Sequence, residues 1–289
     1  MSLDEKPVLV VGAGAPLGRE IVRLLRGAGR AVIATVRTED PEKLGALSAM
    51  GVDTALLDLT DAHALPAAMQ NVGAAIFTPI LTLSAAAARH LPPDAPAVFF
   101  SSNNVAIDPD DPVYASLLRA EETVRSAAPS AAILRPTMIY GFAGDGNLSR
   151  LAAAMRRYPL VPMPGRGRAL QQPLFYKDLA AVAVRALDDP SFKGKTCAVA
   201  GPESISQKAL YRAVAEAIDA SVLIAPTPAR AASVFIGLCE RAGLRGPVKA
   251  AQLARASADK IPQGDNQVFG RTPLSDGLSE IAAAMKTPR

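Results

Sequence analysis

The stretch "VLVVGAGAPLGREIVRLL", residues 8 to 25, decides the fold. An apolar run ends in a segment with glycine at positions 12, 14 and 18, and an amphipathic helical pattern follows at once. Glycine permits a positive φ in a tight turn, and its missing side chain lets backbone amides approach a pyrophosphate at a helix N-terminus. The third glycine lets the helix pack closely on the strand. The stretch therefore predicts a strand, a phosphate loop and a helix that together bind a dinucleotide.

The same alternation of apolar runs and helical patterns continues through the first half of the chain. The further runs are "RAVIATV", "VDTALLDL", "GAAIFT", "PAVFFSS" and "AAILRP". Because these runs are almost continuously apolar, we expect strands buried on both faces of a parallel sheet. The predicted fold class is α/β, a Rossmann doubly wound parallel sheet with a smaller, mainly helical C-terminal lobe.

The pattern changes at "PLVPMPGRGRALQQP", residues 159 to 173, which is rich in proline and glycine. A helix over 177–187 and a strand over 196–200 are expected after it. We predict that residues 1–158 and 172–200 form the dinucleotide-binding domain. Residues 159–171 and 201–289 are predicted to form the smaller substrate lobe.

Composition excludes several functional classes. No apolar run approaches the roughly 18 to 20 residues that cross a bilayer, and the start "MSLDEK" has no secretory pattern, so we expect a soluble, cytoplasmic protein. The net charge of +4 comes from scattered basic residues, which does not suggest nucleic-acid binding. Cys197 and Cys239 are far apart, and His63 and His90 lack ligand spacing, so neither a disulfide nor a metal site is expected.

The end of the second predicted strand bears on the choice of cofactor. Arg37 lies 19 residues after Gly18, close to the separation of about 20 at which a Rossmann protein contacts the adenosine ribose. An arginine at this position suits the 2′-phosphate of NADP, so NADP is expected, with NAD less favoured. In the alternative interpretation Arg37 is an ordinary solvated residue, and Glu39 or Asp40 binds the ribose.

The remaining site residues follow the carboxyl ends of the predicted strands, where an open α/β sheet forms its ligand crevice. Asp58 is placed to meet the adenine edge, and residues 101–104 belong to the nicotinamide end. The predicted cofactor-binding residues are Gly12, Gly14, Ala15, Pro16, Leu17, Gly18, Arg37, Thr38, Asp58, Leu59, Thr78, Pro79, Ser101, Pro136, Thr137 and Met138.

Several segments, taken in order, resemble the extended and atypical branches of the short-chain dehydrogenase/reductase superfamily, the NAD-dependent epimerase/dehydratase and NmrA-like families. They are "PVYASLLRAEETV" (112–124), "LRPTMIYGFAGDGNLSRL" (134–151), "QQPLFYKDLAAVAVRAL" (171–187) and "FGRTPLSDGLSE" (269–280). The glycine pattern departs from the family, because Ala15 occupies the position of the usual middle glycine.

The resemblance implies a catalytic tyrosine in a Tyr-x-x-x-Lys motif, with a glutamate four residues further on and a serine from the fifth strand. Tyr114, Glu122 and Ser102 match these positions, but the lysine position is Leu118. The family lysine binds the nicotinamide ribose and lowers the tyrosine pKa from its usual value of about 10. Arg119 is a poor substitute, since one residue rotates a helix position by about 100°.

Three functions remain open on this basis. The first is an NADP-dependent oxidoreductase that reduces a small carbonyl or quinone-like compound, with Tyr114 and Ser102 as catalytic residues. The second is a non-catalytic NADP(H)-binding regulatory, redox-sensing or assembly protein, which Leu118 favours. The third is a nucleotide-sugar epimerase or dehydratase, ranked lowest because its hydroxyl oxidation depends most on an activated tyrosine. A small-molecule substrate and a possible homodimer are implied by the family.

Overall fold

The computed structural model describes residues 6–228 and 258–286, so Cys239 lies outside the described residues. The chain divides into two compact units. The first comprises Met1–Pro136, Tyr176–Val199 and Pro262–Gly270, and the second comprises Thr137–Phe175, Ala200–Ile261 and Arg271–Arg289.

The described part of the chain alternates between short strands and helices. The strands are β1 (Val8–Val11), β2 (Val32–Val36), β3 (Asp53–Leu56), β4 (Ala74–Phe77), β5 (Ala97–Phe100), β6 (Ala132–Pro136), β7 (Ile139–Tyr140), β8 (Leu160–Pro164), β9 (Leu170–Gln171), β10 (Leu174–Phe175), β11 (Thr196–Ala200), β12 (Ile205–Ser206), β13 (Leu223–Thr227) and β14 (Gln267–Phe269). The α-helices are α1 (Pro16–Gly27), α2 (Pro41–Ser48), α3 (Ala64–Met69), α4 (Leu81–Ser84), α5 (Asn104–Ile107), α6 (Pro112–Ala127), α7 (Leu148–Arg157), α8 (Tyr176–Asp188), α9 (Gln207–Ala217) and α10 (Leu274–Lys286).

The first unit is built on an eight-stranded sheet in the order β14-β11-β6-β5-β4-β1-β2-β3. The pairs from β11 through β6, β5, β4, β1 and β2 to β3 are all parallel. Strands β1 to β6 lie side by side as β6-β5-β4-β1-β2-β3, which is the order of a doubly wound dinucleotide-binding fold. The direction in which the strands are added reverses between β1 and β4. The predicted Rossmann fold class is confirmed.

The core of this unit lies on the central strands. Every residue of β1, β4 and β5 is buried. Phe77 and Phe99 stack with their ring centroids 4.4 Å apart. The expectation of burial on both faces was wrong for β3, where all four residues are exposed, because β3 is the last strand of the sheet and has one neighbour.

The second unit is described by three short strand pairs and three helices. Strand β10 pairs with β7 in parallel, β12 with β9 antiparallel, and β13 with β8 in parallel. Helix α9 contacts both α7 and α10. The unit boundaries differ from the predicted ones. Residues 137–158, 172–175 and 200 fall in the second unit, and 262–270 fall in the first, where β14 joins the sheet beside β11.

A buried ion network joins α6 to the sheet of the first unit. Glu121 has no exposed surface, and both of its carboxylate oxygens accept hydrogen bonds. Arg135 on β6 donates to both oxygens at 2.8 and 2.7 Å, Arg125 donates to Oε2 at 2.7 Å, and the Ser101 hydroxyl donates to Oε1 at 2.6 Å. Burial alone would raise the pKa of Glu121, but these hydrogen bonds and the two guanidinium charges outweigh it, so the pKa is lowered.

We predict that Glu121→Gln lowers the free energy of unfolding at neutral pH by about 3 kcal/mol, because it leaves the partly buried guanidinium of Arg135 without its counter-charge. Because the folded-state pKa of Glu121 is lowered, its stabilising contribution is present above the unfolded-state pKa and is lost as the pH falls through the folded-state value. The variant should lack this component of acid sensitivity. Urea unfolding at several pH values measures both effects.

Glu122→Gln is the matched control, since Glu122 is exposed and adjacent in sequence. It should change stability by less than about 0.5 kcal/mol. Equal losses in the two variants would contradict the assignment of the network to Glu121.

Candidate functional site

The loop after β1 is held against the carboxyl end of β4. The Thr78 hydroxyl donates to the carbonyl oxygen of Val11 at 2.9 Å and lies 3.2 Å from that of Gly12. Gly12 has a φ of +77°, and a Cβ on it would lie 2.5 Å from Thr78 Oγ1 and 3.2 Å from Pro79. The predicted residues Gly12, Thr78 and Pro79 are thus brought together at the strand reversal, where such folds bind nucleotides.

Gly18 fixes the close approach of α1 to this loop. A Cβ on Gly18 would lie 2.5 Å from the carbonyl oxygen of Gly12 and 2.7 Å from Ala13 Cα. Both contacts are to backbone, which cannot move aside as a side chain can. The first turn of α1 is therefore held directly beside the loop.

The N-terminus of α1 has no side-chain cap, a feature that it shares with α3, α4, α5 and α7. Its N-cap residue, Ala15, makes no side-chain hydrogen bond, whereas Asp40, Asp111 and Ser206 cap α2, α6 and α9. The first turn of α1 contains no acidic residue. Its amide groups are left without a side-chain cap beside a loop of glycines, which fits a diphosphate. Ala15 is exposed, and Pro16 and Leu17 are half-buried.

The predicted adenosine-end residues follow the neighbouring strands β2 and β3. Arg37 and Thr38 are exposed, and Leu59 packs against the core. Asp58 Oδ1 accepts hydrogen bonds from the Thr60 amide at 2.9 Å and hydroxyl at 2.7 Å. These bonds, with a smaller effect of the Arg37 charge, lower the pKa of Asp58. Arg37 and Asp58 are thus close enough to interact.

Lys43 lies beside the phosphate loop and was missed at the sequence level. A Cβ on Gly14 would lie 2.8 Å from Lys43 Cδ and 3.1 Å from Val36 Cγ1, so the lysine side chain crosses Gly14 near the end of β2. Its ammonium pairs with Asp40 Oδ2 at 2.6 Å, and Asp40 Oδ1 accepts from the Lys43 amide at 3.2 Å. Each oxygen of Asp40 therefore already accepts one hydrogen bond, and both Asp40 and Glu39 stay open as the ribose ligand in the alternative interpretation.

The predicted catalytic residues are connected through Asn104. The backbone N–H of Asn104 donates to Ser102 Oγ at 3.3 Å, and its side-chain amide donates to the Tyr114 hydroxyl oxygen at 2.8 Å. Ser101 points elsewhere, since its hydroxyl donates to Glu121. Residues 101–104 were predicted as a group, but the bond that joins Asn104 to Tyr114 was not.

The helix that carries Tyr114 raises a question of register. The buried glutamate of α6 is Glu121, whereas Glu122, which the motif spacing selects, is exposed. Counting the family spacing back from Glu121 instead places Leu117 at the lysine position and Val113 at the tyrosine position. Leu117 is buried and Leu118 packs against the same core. In either register the lysine position is a leucine directed to the core.

Three further predicted cofactor contacts lie at the end of β6 and directly after it. Pro136 is buried at the end of β6 in the first unit, whereas Thr137 and Met138 belong to the second unit. In the second unit, the Thr137 hydroxyl donates to the carbonyl oxygen of Gln172 at 2.6 Å. The carbonyl oxygen of Met138 accepts from the Leu174 amide at 2.8 Å. Cofactor contacts by Pro136, Thr137 and Met138 stay predictions.

Similarity to known proteins shows the family to which this chain belongs. No family model matches the chain. An NAD(P)H azoreductase of Xenophilus azovorans is 32% identical over 207 residues, which are 69% of this chain and 69% of that protein. The chain belongs to the extended short-chain dehydrogenase/reductase superfamily. The resemblance stated from the sequence is confirmed.

Two further proteins are similar to this chain, one over a short segment of sequence and one in fold. A mitochondrial NADH dehydrogenase [ubiquinone] 1 alpha subcomplex subunit 9 of Arabidopsis thaliana is 39% identical over 85 residues, 29% of this chain and 21% of that protein. A crystal structure of the Citrobacter sp. triphenylmethane reductase complexed with NADP(H) matches with a TM-score of 0.73 and 19% identity, over 95% of this chain and 99% of that one. The second match shows the fold, which is that of NAD(P)-binding reductases and epimerases.

The described residues contain neither a membrane-spanning helix nor a cluster of metal-binding side chains. None of the helices in residues 6–228 and 258–286 is long and apolar enough to cross a membrane. In the same part of the chain, no group of three or more histidine, cysteine or acidic side chains could hold a metal ion.

We predict that Gly18→Ala destabilises the protein by about 1–3 kcal/mol, because its methyl group would overlap backbone atoms. Gly27→Ala on the same helix is the matched control. A Cβ on Gly27 meets nothing within 4 Å, so alanine there should stabilise by up to about 1 kcal/mol. Urea unfolding without nucleotide compares the two, and a neutral Gly18→Ala variant would contradict the close packing.

Proposed function

We propose that this chain is an NADPH-dependent oxidoreductase that reduces a small electron-poor acceptor, such as a carbonyl, quinone-like or azo compound. The observation that carries the proposal is that Asn104 links the two predicted catalytic residues, because its backbone N–H donates to Ser102 and its side-chain amide donates to Tyr114. The azoreductase relative supports the reaction class.

The cofactor half of the proposal rests on the loop from Gly12 to Gly18 and on the end of β2. The uncapped first turn of α1 would hold the diphosphate, and Asp58 would meet the adenine edge. Arg37 would bind the 2′-phosphate, which favours NADP over NAD. Lys43 would add a second cation, since its side chain crosses Gly14 close to the same strand end. When bound, the reduced nicotinamide supplies the hydride.

The chemical half rests on Tyr114, Asn104 and Ser102. The Asn104 amide donates to the Tyr114 oxygen, so the phenolic proton must be directed to a different acceptor. In a reduction this acceptor would be the developing oxygen or nitrogen anion of the substrate. The Ser102 hydroxyl, fixed by the Asn104 backbone N–H, would donate a second hydrogen bond to the same atom.

The direction of reaction follows from the missing lysine. An alcohol oxidation needs the tyrosine as a base, which requires a nearby positive charge to favour its phenolate form. The family lysine supplies this charge, and α6 offers leucine at both candidate positions. A reduction needs the tyrosine as a proton donor, a role that does not require this charge.

A second candidate, a non-catalytic NADP(H)-binding sensor or assembly protein, is favoured by the 85-residue similarity to the NADH dehydrogenase subunit. It shares the cofactor site and lacks turnover. Measuring nucleotide binding and NADPH oxidation on the same sample separates the two candidates, because binding without turnover on any acceptor would support the second.

We predict NADPH oxidation with at least one compound in a panel of azo dyes, quinones and aldehydes. Tyr114→Phe should lower kcat by about 10²-fold or more through loss of the proton donor, with little change in the Kd of NADPH. Tyr158→Phe, at an exposed tyrosine of the second unit, is the control. Full activity of Tyr114→Phe would remove this residue from the mechanism and would favour the register that starts from Glu121.

A further inference from the structure

Asp40 and Lys43 form a local ion pair at the start of α2. Asp40 caps the helix through the Lys43 backbone amide and also accepts from the Lys43 ammonium at 2.6 Å. The hydrogen bond from the Lys43 side chain is the largest cause of a lowered pKa at Asp40, so this carboxylate is charged at neutral pH. The pair is partly open to solvent, with 46% of the Lys43 side chain and 32% of the Asp40 side chain exposed.

This pair lies beside the predicted adenosine pocket. The stem of Lys43 crosses Gly14, and Val36 Cγ1, which lies against the same glycine, belongs to the residue before Arg37. Lys43 therefore lies between the phosphate loop and the end of β2. In a Rossmann fold this is the region where the adenosine ribose and any 2′-phosphate are bound.

We propose that Asp40 sets the selectivity between NADPH and NADH by competing with the 2′-phosphate for the ammonium group of Lys43. The proposal rests on the proposed function, because it requires a dinucleotide in this cleft. NADPH places an anion where Lys43 can reach it, so Lys43 must exchange one anionic partner for another. NADH has no such group, and its binding does not disturb the pair.

The strength of the ion pair allows the 2′-phosphate to compete with Asp40 for the Lys43 ammonium. Exposed ion pairs are weak, so the ammonium can leave Asp40 at small cost. The Asp40 carboxylate also stays near the incoming phosphate and repels it. Both effects weaken NADPH binding and leave NADH binding almost unchanged, so the preference for NADPH is smaller than Arg37 and Lys43 alone would give.

Asp40→Asn is the decisive substitution. Asparagine caps a helix about as well as aspartate, so α2 keeps its N-terminus while the charge and the ion pair are lost. The Kd of NADPH should fall by about threefold to tenfold, as expected for one charge removed near a phosphate in a solvent-exposed site. The Kd of NADH should change by less than about twofold. Nicotinamide fluorescence reports both titrations.

Two control variants separate the ion pair from general charge. Glu42→Gln removes an exposed carboxylate in the first turn of the same helix that Lys43 does not pair with, and it should give a smaller change. Lys43→Met keeps most of the stem over Gly14 and removes the ammonium, so the gain from Asp40→Asn should largely disappear in the double variant. Titration with 2′,5′-ADP and with ADP should show the same pattern, because these ligands carry only the adenosine half.

The outcomes are distinct. An unchanged ratio of the NADPH and NADH dissociation constants in Asp40→Asn, or a gain that persists with Lys43→Met, would overturn the role of Asp40 and leave the proposed function standing. A wild-type protein that binds neither NADPH nor NADH would overturn the proposed function, and the role of Asp40 with it.

Discussion

The contact of Gly18 with the backbone of Gly12 and Ala13 is the constraint on which the site depends. It brings the first turn of α1 beside the loop that follows β1. The positive φ of Gly12 and the bond from Thr78 fix the other side of the loop. The proposed diphosphate site would thus be formed by backbone packing, and the side chains around it would decide which nucleotide binds and which reaction follows.

Much of the fold could be predicted because its signals are local. The helix predicted directly after the glycine segment is α1, which runs from Pro16 to Gly27, and β11 covers the predicted residues 196–200. Proline at a first helical position, glycine after the last turn and a continuous apolar run each act within a few residues. The parallel order of the sheet then follows from the connections between such elements.

What could not be predicted depends on which side chains face each other in three dimensions. The motif spacing selected Glu122, but one residue of rotation on α6 directs Glu121 to Arg135 instead. The position of Lys43 over Gly14 depends on how α2 packs, and the bond between Asn104 and Tyr114 joins two helices. The exposure of β3 follows from its place in the strand order, which its own composition does not reveal.

That last position has a consequence for association between molecules. In the described part of the chain β3 pairs with β2 alone, so its outer backbone N–H and C=O groups form a template to which another extended segment could add. Leu56, with 57% of its surface exposed, would make such an addition more favourable. The strand has only four residues and begins at Asp53, whose charge would be repeated in any stack of identical copies. A short, acidic border of this kind protects the sheet from growing into an aggregate.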